Sequence, residues 1–439
     1  MTKKREYIAI IQAGGKGTRM RELTHDEIPK PLLKLNDTPM MEWQLESLKK
    51  YGIKEFVFIV GHLGELIENY FGNGSKWGVQ ISYIRENEPL GSAGALYYAK
   101  EAIGNKDVIL IFGDVMFELD WDRFIEYHEE KNGLVTLLVH PNAHPFDSDL
   151  LIVEKDGSVS GIDSKYNVRD YYYKNCVNAG LSLFSYKLLS KLIKPQKTDY
   201  ETELVRPLMR QGQVFAYSTP EYVKDVGTPE RFYKACEEQK KGIWNAKCLD
   251  RKQKAIFLDR DGTINEYVGF LRDINDFKLL PEVEEAIKDI NSSEYLAIIA
   301  TNQPVIARGE VTVRQLEEIH KKLETELGKA GAYVNDIYYC PHHPHKGYKG
   351  EITELKIDCN CRKPKIGMIT AAAEKYNIDL SQSWYIGDTT MDIQTGINAT
   401  MRTVLVLTGE AGKDGKYDVV PTAIKESLRD AVNYILKEF

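Results

Sequence analysis

Two aspartates one residue apart, Asp259 and Asp261, are the side chains best placed by type and spacing to do chemistry. They stand in Phe257-Leu258-Asp259-Arg260-Asp261-Gly262-Thr263, directly after the apolar run 255–258. Such a run predicts a buried parallel strand. At the carboxyl end of such a strand, alternate residues project together into the crevice where open α/β sheets bind ligands. Carboxylates that close repel one another unless a cation lies between them, so a hard divalent ion such as Mg²⁺ is implied. One of the pair can attack phosphorus while its neighbour moves a proton. An isolated Asp-x-Asp-Gly reads equally well as a solvated turn, and the residues downstream decide between the two.

A helix near 281–291 is followed by a strand at 295–300 that ends in Thr301-Asn302-Gln303. A hydroxyl and backbone N–H at that tip suit a phosphate oxygen. Arg362-Lys363-Pro364 brings two cations, and a strand at 384–386 ends in Gly387-Asp388, with Asp392 beyond. In this order the pieces resemble the phosphatase pattern of the haloacid-dehalogenase-like (HAD) superfamily. The resemblance implies that Asp259 attacks phosphorus to form an aspartyl-phosphate. Asp261 would protonate the leaving sugar oxygen and later activate water. Asp388, Asp259 and the backbone carbonyl of Asp261 would hold Mg²⁺. Thr301 and Lys363 would bind the phosphoryl group, with Asn302 and Arg362 beside the substrate. Asp392 would support these groups, or be an ordinary acid in a helix's first turn.

Cys340-Pro341-His342 and Cys359-Asn360-Cys361 form a Cys-x-His and a Cys-x-Cys pair. Three thiolates and an imidazole at this spacing match tetrahedral Zn²⁺ with no open position, hence a structural site. His343 and His345 are rivals to His342. Such a metal would pin the loop that delivers Arg362 and Lys363. FLDRDGTIN, TNQ, IARGE, CPHH, CxCRKPKIGM and GD, over about residues 254–410, resemble the D-glycero-D-manno-heptose-1,7-bisphosphate 7-phosphatases. Histidinol-phosphate phosphatase shares the zinc loop. Pro304-Val305 stands where the family tends to have Ser-Gly, and Thr389 where Lys often follows Gly-Asp.

The first half alternates short apolar strands (8–11, 56–60, 80–84, 107–112) with helices, which predicts a mostly parallel, Rossmann-like sheet. Ala13-Gly14-Gly15-Lys16-Gly17-Thr18-Arg19 follows the first strand; closely spaced glycines let backbone N–H groups approach an anion. Pro29-Lys30-Pro31 is expected to hold Lys30 extended, and Thr38 to cap a helix with Pro39 at its first position. AGGKGTR, PKPL, EPLGSAGAL, the strand ending in Gly113-Asp114, VNAG at 177–180 and DVGTP at 225–229 follow the order of sugar-1-phosphate nucleotidyltransferases, over about 6–240. The resemblance implies that Gly14, Gly15, Gly17, Thr18 and Arg19 cradle a triphosphate while Lys30 neutralises its charge. It implies Asp114 and Asp225 as Mg²⁺ ligands, Leu90, Gly91 and Gly94 around base and sugar, and Asn178, Gly180 and Glu201 on sugar hydroxyls. Lys165 stands in Ser164-Lys165, where the family usually has Glu-Lys.

At 439 residues the chain exceeds one ordinary core, and 43% hydrophobic with 28% charged residues is a globular composition. A net charge of −7 argues against general nucleic-acid binding. No apolar run reaches membrane-spanning length and the start, MTKKREYIAIIQAGG, has no signal-peptide core, so a cytoplasmic enzyme is expected. Cys176, Cys236 and Cys248 have no partner at ligand spacing, and Tyr171-Tyr172-Tyr173 lacks a basic cluster, so both read as structural. The expected layout is an α/β chain of two domains. A nucleotidyltransferase covers 1–245, a linker 246–253 and a HAD-like Rossmannoid phosphatase with a zinc loop 254–439. Together the resemblances imply an enzyme that removes the 7-phosphate of a heptose bisphosphate and joins the remaining heptose 1-phosphate to a nucleotide, GTP being the donor implied. A homo-oligomer is left open. The rivals are a histidinol-phosphate-type phosphatase fused to another transferase, and a non-catalytic regulator that binds nucleotide sugars.

Overall fold

The computed structural model describes residues 6–437. The chain forms two compact units that part between Cys248 and Leu249. Contiguous domains are expected from the sequence, but two excursions, Pro141–Ser148 and Lys165–Asn175, cluster with the second unit. Hydrogen bonds account for this. Arg169 donates to the carbonyls of Pro145 (2.7 Å) and Ser148 (2.8 Å), tying the excursions together. Tyr173 N–H donates to Thr325 Oγ1 (2.9 Å), whose hydroxyl donates back to Tyr173 O (3.1 Å).

The first unit is built on β1 (Tyr7–Ala13), α1 (Met40–Lys50), β2 (Glu55–Val60), α2 (Gly64–Phe71), β3 (Gln80–Arg85), α3 (Leu96–Ile103) and β4 (Asp107–Phe112). It continues through β5 (Val115–Glu118), α4 (Trp121–Lys131), β6 (Val135–His140), β7 (Leu150–Val153), β8 (Val159–Asp163), β9 (Val177–Phe184), β10 (Val214–Ser218), β11 (Tyr222–Asp225) and α5 (Pro229–Lys240). Nine strands make one sheet along β8-β7-β9-β4-β1-β2-β3, with β6 beside β9 and β10 beside β6. β4, β1, β2 and β3 run parallel, which sends their carboxyl ends to one edge. Ile8, Ile10, Val57 and Leu110 face one apolar core, and Ala9, Ile11, Phe58 and Ile111 the other. Burial on both faces explains why these strands read as continuous apolar runs.

Two local expectations are corrected. Thr38 does not cap α1; it pairs with Leu35 in a two-residue ladder, and α1 starts at Met40 with Pro39 in the cap position. Lys30 is not extended; it opens a 3₁₀ turn over Lys30–Leu32, closed by Leu33 N–H donating to Lys30 O (3.0 Å).

The second unit carries β12 (Lys254–Leu258), α6 (Val283–Asn291), β13 (Tyr295–Asn302), α7 (Val313–Lys329) and β14 (Asp336–Cys340). After them come α8 (Gly367–Tyr376), β15 (Trp384–Gly387), α9 (Thr390–Asn398), β16 (Arg402–Val406), β17 (Ala423–Lys425) and α10 (Leu428–Lys437). All six strands are parallel, in the order β14-β13-β12-β15-β16-β17. Chain order reverses across β12, so β13 and β15 flank it and all three tips open on one crevice. No helix among the described residues is long and apolar enough to cross a membrane.

Close approach at one pair of glycines sets the first unit's loop. A Cβ on Gly61 would lie 2.7 Å from the carbonyl oxygen of Gly14. Gly61→Ala is therefore expected to cost about 1–3 kcal/mol, read as a lower urea midpoint of the first unit.

Candidate active sites

In the second unit, the parallel register pairs Leu258 with Ile386, so the residues that follow, Asp259 and Gly387-Asp388, emerge side by side. Asp392 comes from the first turn of α9. Its Oδ2 accepts from Thr389 N–H (3.1 Å) in a reciprocal capping box, which turns Oδ1 to the crevice. Both readings of Asp392 hold at once: it caps its helix and it joins the site. Ligand oxygens of Asp259, Asp388 and Asp392 lie within 4.8 Å of one another. Lys363 Nζ bridges Asp259 Oδ1 (2.9 Å) and Asp392 Oδ1 (2.6 Å). Asn302 positions that lysine, its Oδ1 accepting Lys363 N–H (3.0 Å).

One lysine against three carboxylates leaves an excess of negative charge in a buried place. Burial, then Asp392 and Asp259, push the Asp388 carboxyl up to about 8. Burial and Asp392 push Asp259 up to about 6 against the pull of Lys363. Asp388 Oδ2 accepts from Glu410 N–H (2.7 Å), while its Oδ1 is buried with no hydrogen-bond partner. Gly262 (φ 82°) and Gly409 (φ 55°) crowd this carboxylate, and a Cβ on either would lie within 2.3 Å of Oδ2. An orphaned acceptor among crowded acids fits a small hard cation.

Asp261 points elsewhere. Its carboxylate accepts from Arg260 Nη2 (2.9 Å), Asn265 Nδ2 (3.0 Å) and Gln303 Nε2 (2.8 Å). Burial pushes its carboxyl up, but Arg260 and the hydrogen bonds outweigh that and hold it below the ordinary range. Of the residues expected around the metal, the Asp261 side chain is thus outside the acidic cluster. Arg260 is fully buried, and its Nη1 donates to His320 Nε2 (3.2 Å). His320 stays neutral: burial, then Arg260, bring it down to about 3. Sequence reasoning missed Arg260, Gln303 and His320. Arg260 stands in plain view between two aspartates, but only tertiary packing shows that it faces inward. Thr301 accepts from Gln303 Nε2 (3.1 Å) beside these groups, and Arg362 Nη1 donates to His342 O (3.2 Å).

Cys340, His342, Cys359 and Cys361 converge, with Sγ–Sγ separations of 3.2, 3.3 and 3.5 Å and His342 Nδ1 3.2 Å from Cys361 Sγ. The edges of a tetrahedral thiolate site are about 3.7 Å, so these four atoms surround a point as metal ligands do. His343 is turned away, with Nε2 3.3 Å from Arg308 and Nδ1 3.1 Å from His345 O.

In the first unit, Lys30 is buried and its Nζ lies 2.9 Å from Asp114 Oδ2. β5 and β11 pair with Val115 opposite Asp225, and Val226 N–H donates to Asp114 O (2.9 Å), which brings the two acids to one place. Asp225 is already engaged: Oδ1 accepts Gly227 N–H (2.7 Å) and Oδ2 pairs with Arg231 (2.8 Å), a residue the sequence reading passed over. Arg19 joins them, its Nη2 lying 3.0 Å from the position of a Cβ on Gly227. Gly17 has φ 59° and packs against Lys30, while Gly15, Thr18 and Arg19 are exposed on the loop. Asn178 Nδ2 donates to Glu201 Oε2 (2.9 Å), and Gly180 (φ 74°) returns its N–H to Asn178 Oδ1 (3.2 Å). Burial raises Glu201. Leu90 O accepts from Gly94 (3.2 Å) and Thr198 (2.9 Å), and Gly91 adopts φ 76°. Lys165 lies in the excursion Lys165–Asn175 that clusters with the second unit, its Nζ 5.5 Å from the Tyr166 ring centre.

Residues 8–242 match the Nucleotidyl transferase family, and residues 360–431 a HAD-hydrolase-like family. The D-glycero-β-D-manno-heptose-1,7-bisphosphate 7-phosphatase of Haemophilus influenzae is 40% identical over 158 residues, 36% of this chain and 83% of that protein. This chain belongs to two families: nucleotidyl transferases, and heptose-bisphosphate phosphatases of the HAD type. The relative of the same name from Haemophilus ducreyi is 38% identical over 188 residues, 42% of this chain and 98% of its own length. HddC from Yersinia pseudotuberculosis, a solved structure, is 27% identical with a TM-score of 0.47, covering 53% of this chain and 99% of its own. The nucleotidyl transferase–phosphatase chain is therefore an enzyme in both halves.

Because folding raises Asp388, the metal-free folded state holds a proton there more tightly than the unfolded chain. Its stability must fall as pH rises toward 8. His320, lowered by folding from 6.5, acts in the opposite sense only below that pH. In EDTA, raising pH from about 6.5 to 8 is expected to cost about 1–2 kcal/mol. Urea denaturation reads this, and Asp388→Asn should flatten the slope.

Proposed function

We propose that the two halves catalyse consecutive steps of heptose activation. The phosphatase half removes the 7-phosphate of D-glycero-D-manno-heptose 1,7-bisphosphate, and the transferase half joins heptose 1-phosphate to a guanylyl group from GTP, releasing pyrophosphate. The observation that carries the first step is Asp259 at a strand tip, held by Lys363 beside Asp388 and Asp392. Relatives named for that reaction supply the substrate class.

In the phosphatase half, Asp259 attacks the 7-phosphorus and becomes an aspartyl-phosphate, while Lys363 and Thr301 neutralise the phosphoryl oxygens. The leaving C7 oxygen takes its proton from Asp261. That acid is ionised where it stands, so it must leave Arg260 and Gln303 to carry a proton in. Freed of its proton, it then serves as base for the water that hydrolyses the acyl phosphate. Asp259, Asp388 and the Asp261 carbonyl would hold Mg²⁺, which supplies charge neutralisation to the phosphoryl group. The cluster of Cys340, His342, Cys359 and Cys361 suits a structural Zn²⁺. By ordering the loop it would deliver Arg362 and Lys363.

In the transferase half, Gly14–Gly17 with Thr18 and Arg19 would cradle the triphosphate, and Lys30 would counter charge on the α-phosphate as the sugar phosphate oxygen attacks in line. Asp114 and Asp225 would hold Mg²⁺. Asn178, Gly180 and Glu201 would receive the sugar hydroxyls, with Leu90, Gly91 and Gly94 around base and sugar. The substrates are small molecules, and a cytoplasmic setting supplies both.

Incubating the protein with heptose 1,7-bisphosphate, Mg²⁺ and each nucleoside triphosphate separately should yield inorganic phosphate in every case and a nucleotide sugar with GTP. Asp259→Asn should abolish phosphate release, and Lys30→Met should block only nucleotide-sugar formation from heptose 1-phosphate, each by about 10²-fold or more. Release of phosphate from histidinol phosphate but not from the heptose bisphosphate would defeat the reading. Removal of metal from the thiol cluster by a chelator, or Cys361→Ser, is expected to lower both the phosphatase rate and the melting temperature of the second unit.

A further inference from the structure

The strap after β16, residues 408–412, is tied to the acidic crevice of the second unit at three points. Thr408 Oγ1 donates to Gly262 O (2.6 Å), Glu410 N–H to Asp388 Oδ2 (2.7 Å) and Gly412 N–H to Asp388 O (2.7 Å). The backbone is left-handed on both sides of Glu410, at Gly409 (φ 55°) and at Ala411 (φ 51°). An alanine persists in that conformation only where its surroundings impose it. Glu410 turns its N–H to Asp388 while its carboxylate accepts from the Tyr267 hydroxyl (2.5 Å). Tyr267 stands two residues past Asn265, whose carbonyl accepts Gly262 N–H (2.8 Å) and whose side chain donates to Asp261 (3.0 Å). The Tyr267–Glu410 bond therefore closes a ring of contacts that runs from the 259–265 turn through Tyr267 and Glu410 to Asp388. The phenol is pushed up to about 12 by Glu410 first, then by burial, Asp388 and Asp261, so it remains a donor across the neutral range.

We propose that Tyr267 is a positioning residue for the divalent metal of the phosphatase half, acting through Glu410. With the phenol on its carboxylate, Glu410 is held against the crevice and its N–H occupies Oδ2 of Asp388. The orphaned Oδ1 is then left turned to Mg²⁺. Without the phenol the strap is free to relax at its two left-handed residues, and the Asp388 carboxylate loses the contact that fixes its rotation. Partners that orient a metal ligand set affinity without touching the ion. This inference rests on the phosphatase reading above, in which Asp388 holds Mg²⁺, and adds what tunes the affinity for that ion. Were Glu410 only a nearby negative charge that attracts Mg²⁺, its hydrogen bond to Tyr267 would be immaterial, and the two cases separate by experiment.

Mg²⁺ binding to the full chain is measured by isothermal titration calorimetry, with Asp388→Asn identifying the heat that belongs to this site. Losing a direct hydrogen-bond partner of a metal ligand typically costs about 10–100-fold in affinity, so Tyr267→Phe, one bond further out, is expected to weaken this binding about three- to tenfold. The Mg²⁺ concentration at half-maximal phosphate release should rise in step, with kcat at saturating Mg²⁺ close to that of the wild type. Glu410→Ala should match Y267F. Glu410→Gln, whose amide oxygen still accepts from the phenol, should bind as the wild type does. The double variant Y267F/E410A should bind no more weakly than either single change, because both break one bond. Melting temperatures in EDTA serve as the folding control. Unchanged Mg²⁺ binding in Y267F overturns the proposal, as does E410Q binding as weakly as E410A, which would mark the charge and not the bond. A wild-type chain with no heat sensitive to D388N defeats the metal reading of the crevice along with the role of Tyr267.

Discussion

The second half depends on a charge imbalance. Three carboxylates, Asp259, Asp388 and Asp392, share a buried crevice with one ammonium, Lys363. Burying like charges is costly unless they are neutralised or bound to a cation. The protein's own contacts relieve part of that cost. The capping box of α9 fixes Asp392, Asn302 fixes Lys363, and Glu410 N–H takes one oxygen of Asp388. What remains, the bare Oδ1 of Asp388, is the place where a divalent ion would complete the balance. The same imbalance prepares the site for a phosphoryl group, because a bound cation and Lys363 would then face incoming negative charge from two sides.

The first unit solves a related problem with the signs arranged differently. Lys30 and Arg19 approach from loops after β1, while Asp114 and Asp225 come from the turn after β4 and the end of β11. Here each acid already has a cationic partner, Lys30 for Asp114 and Arg231 for Asp225. Both halves use parallel strands to collect loops at one edge, and glycines where a side chain would close the space.

Much of this was legible in the sequence, because parallel strands buried on both faces leave apolar runs and their tips leave motifs. β12, β13 and β15 and their terminal residues Asp259, Thr301 and Asp388 follow from that rule alone. The convergence of Cys340, His342, Cys359 and Cys361 was readable because each pair is closely spaced in the chain. What escaped was set by tertiary contact. The inward turn of Arg260 depends on His320, sixty residues on in α7. Arg231 looks like any charged residue on a helix, and Asp225 selects it only once β11 pairs with β5. The excursions at 141–148 and 165–175 read as polar loops between strands, and nothing local in them shows that they cluster with the second unit. Thr38 and Lys30 misled because Pro-flanked residues favour caps and extended chain on average, whereas here turn hydrogen bonds prevail.

The proposed chemistry of the second half requires Asp259 to act as the nucleophile in the crevice it shares with Lys363. The most direct measurement is to quench the wild-type protein in acid within milliseconds of mixing with heptose bisphosphate, and to sequence its peptides by mass spectrometry. The expected result is one phosphoryl group on the peptide carrying Asp259, and none when Asp259 is replaced by Asn. Phosphate release at an undiminished rate from the Asp259→Asn protein would contradict the account.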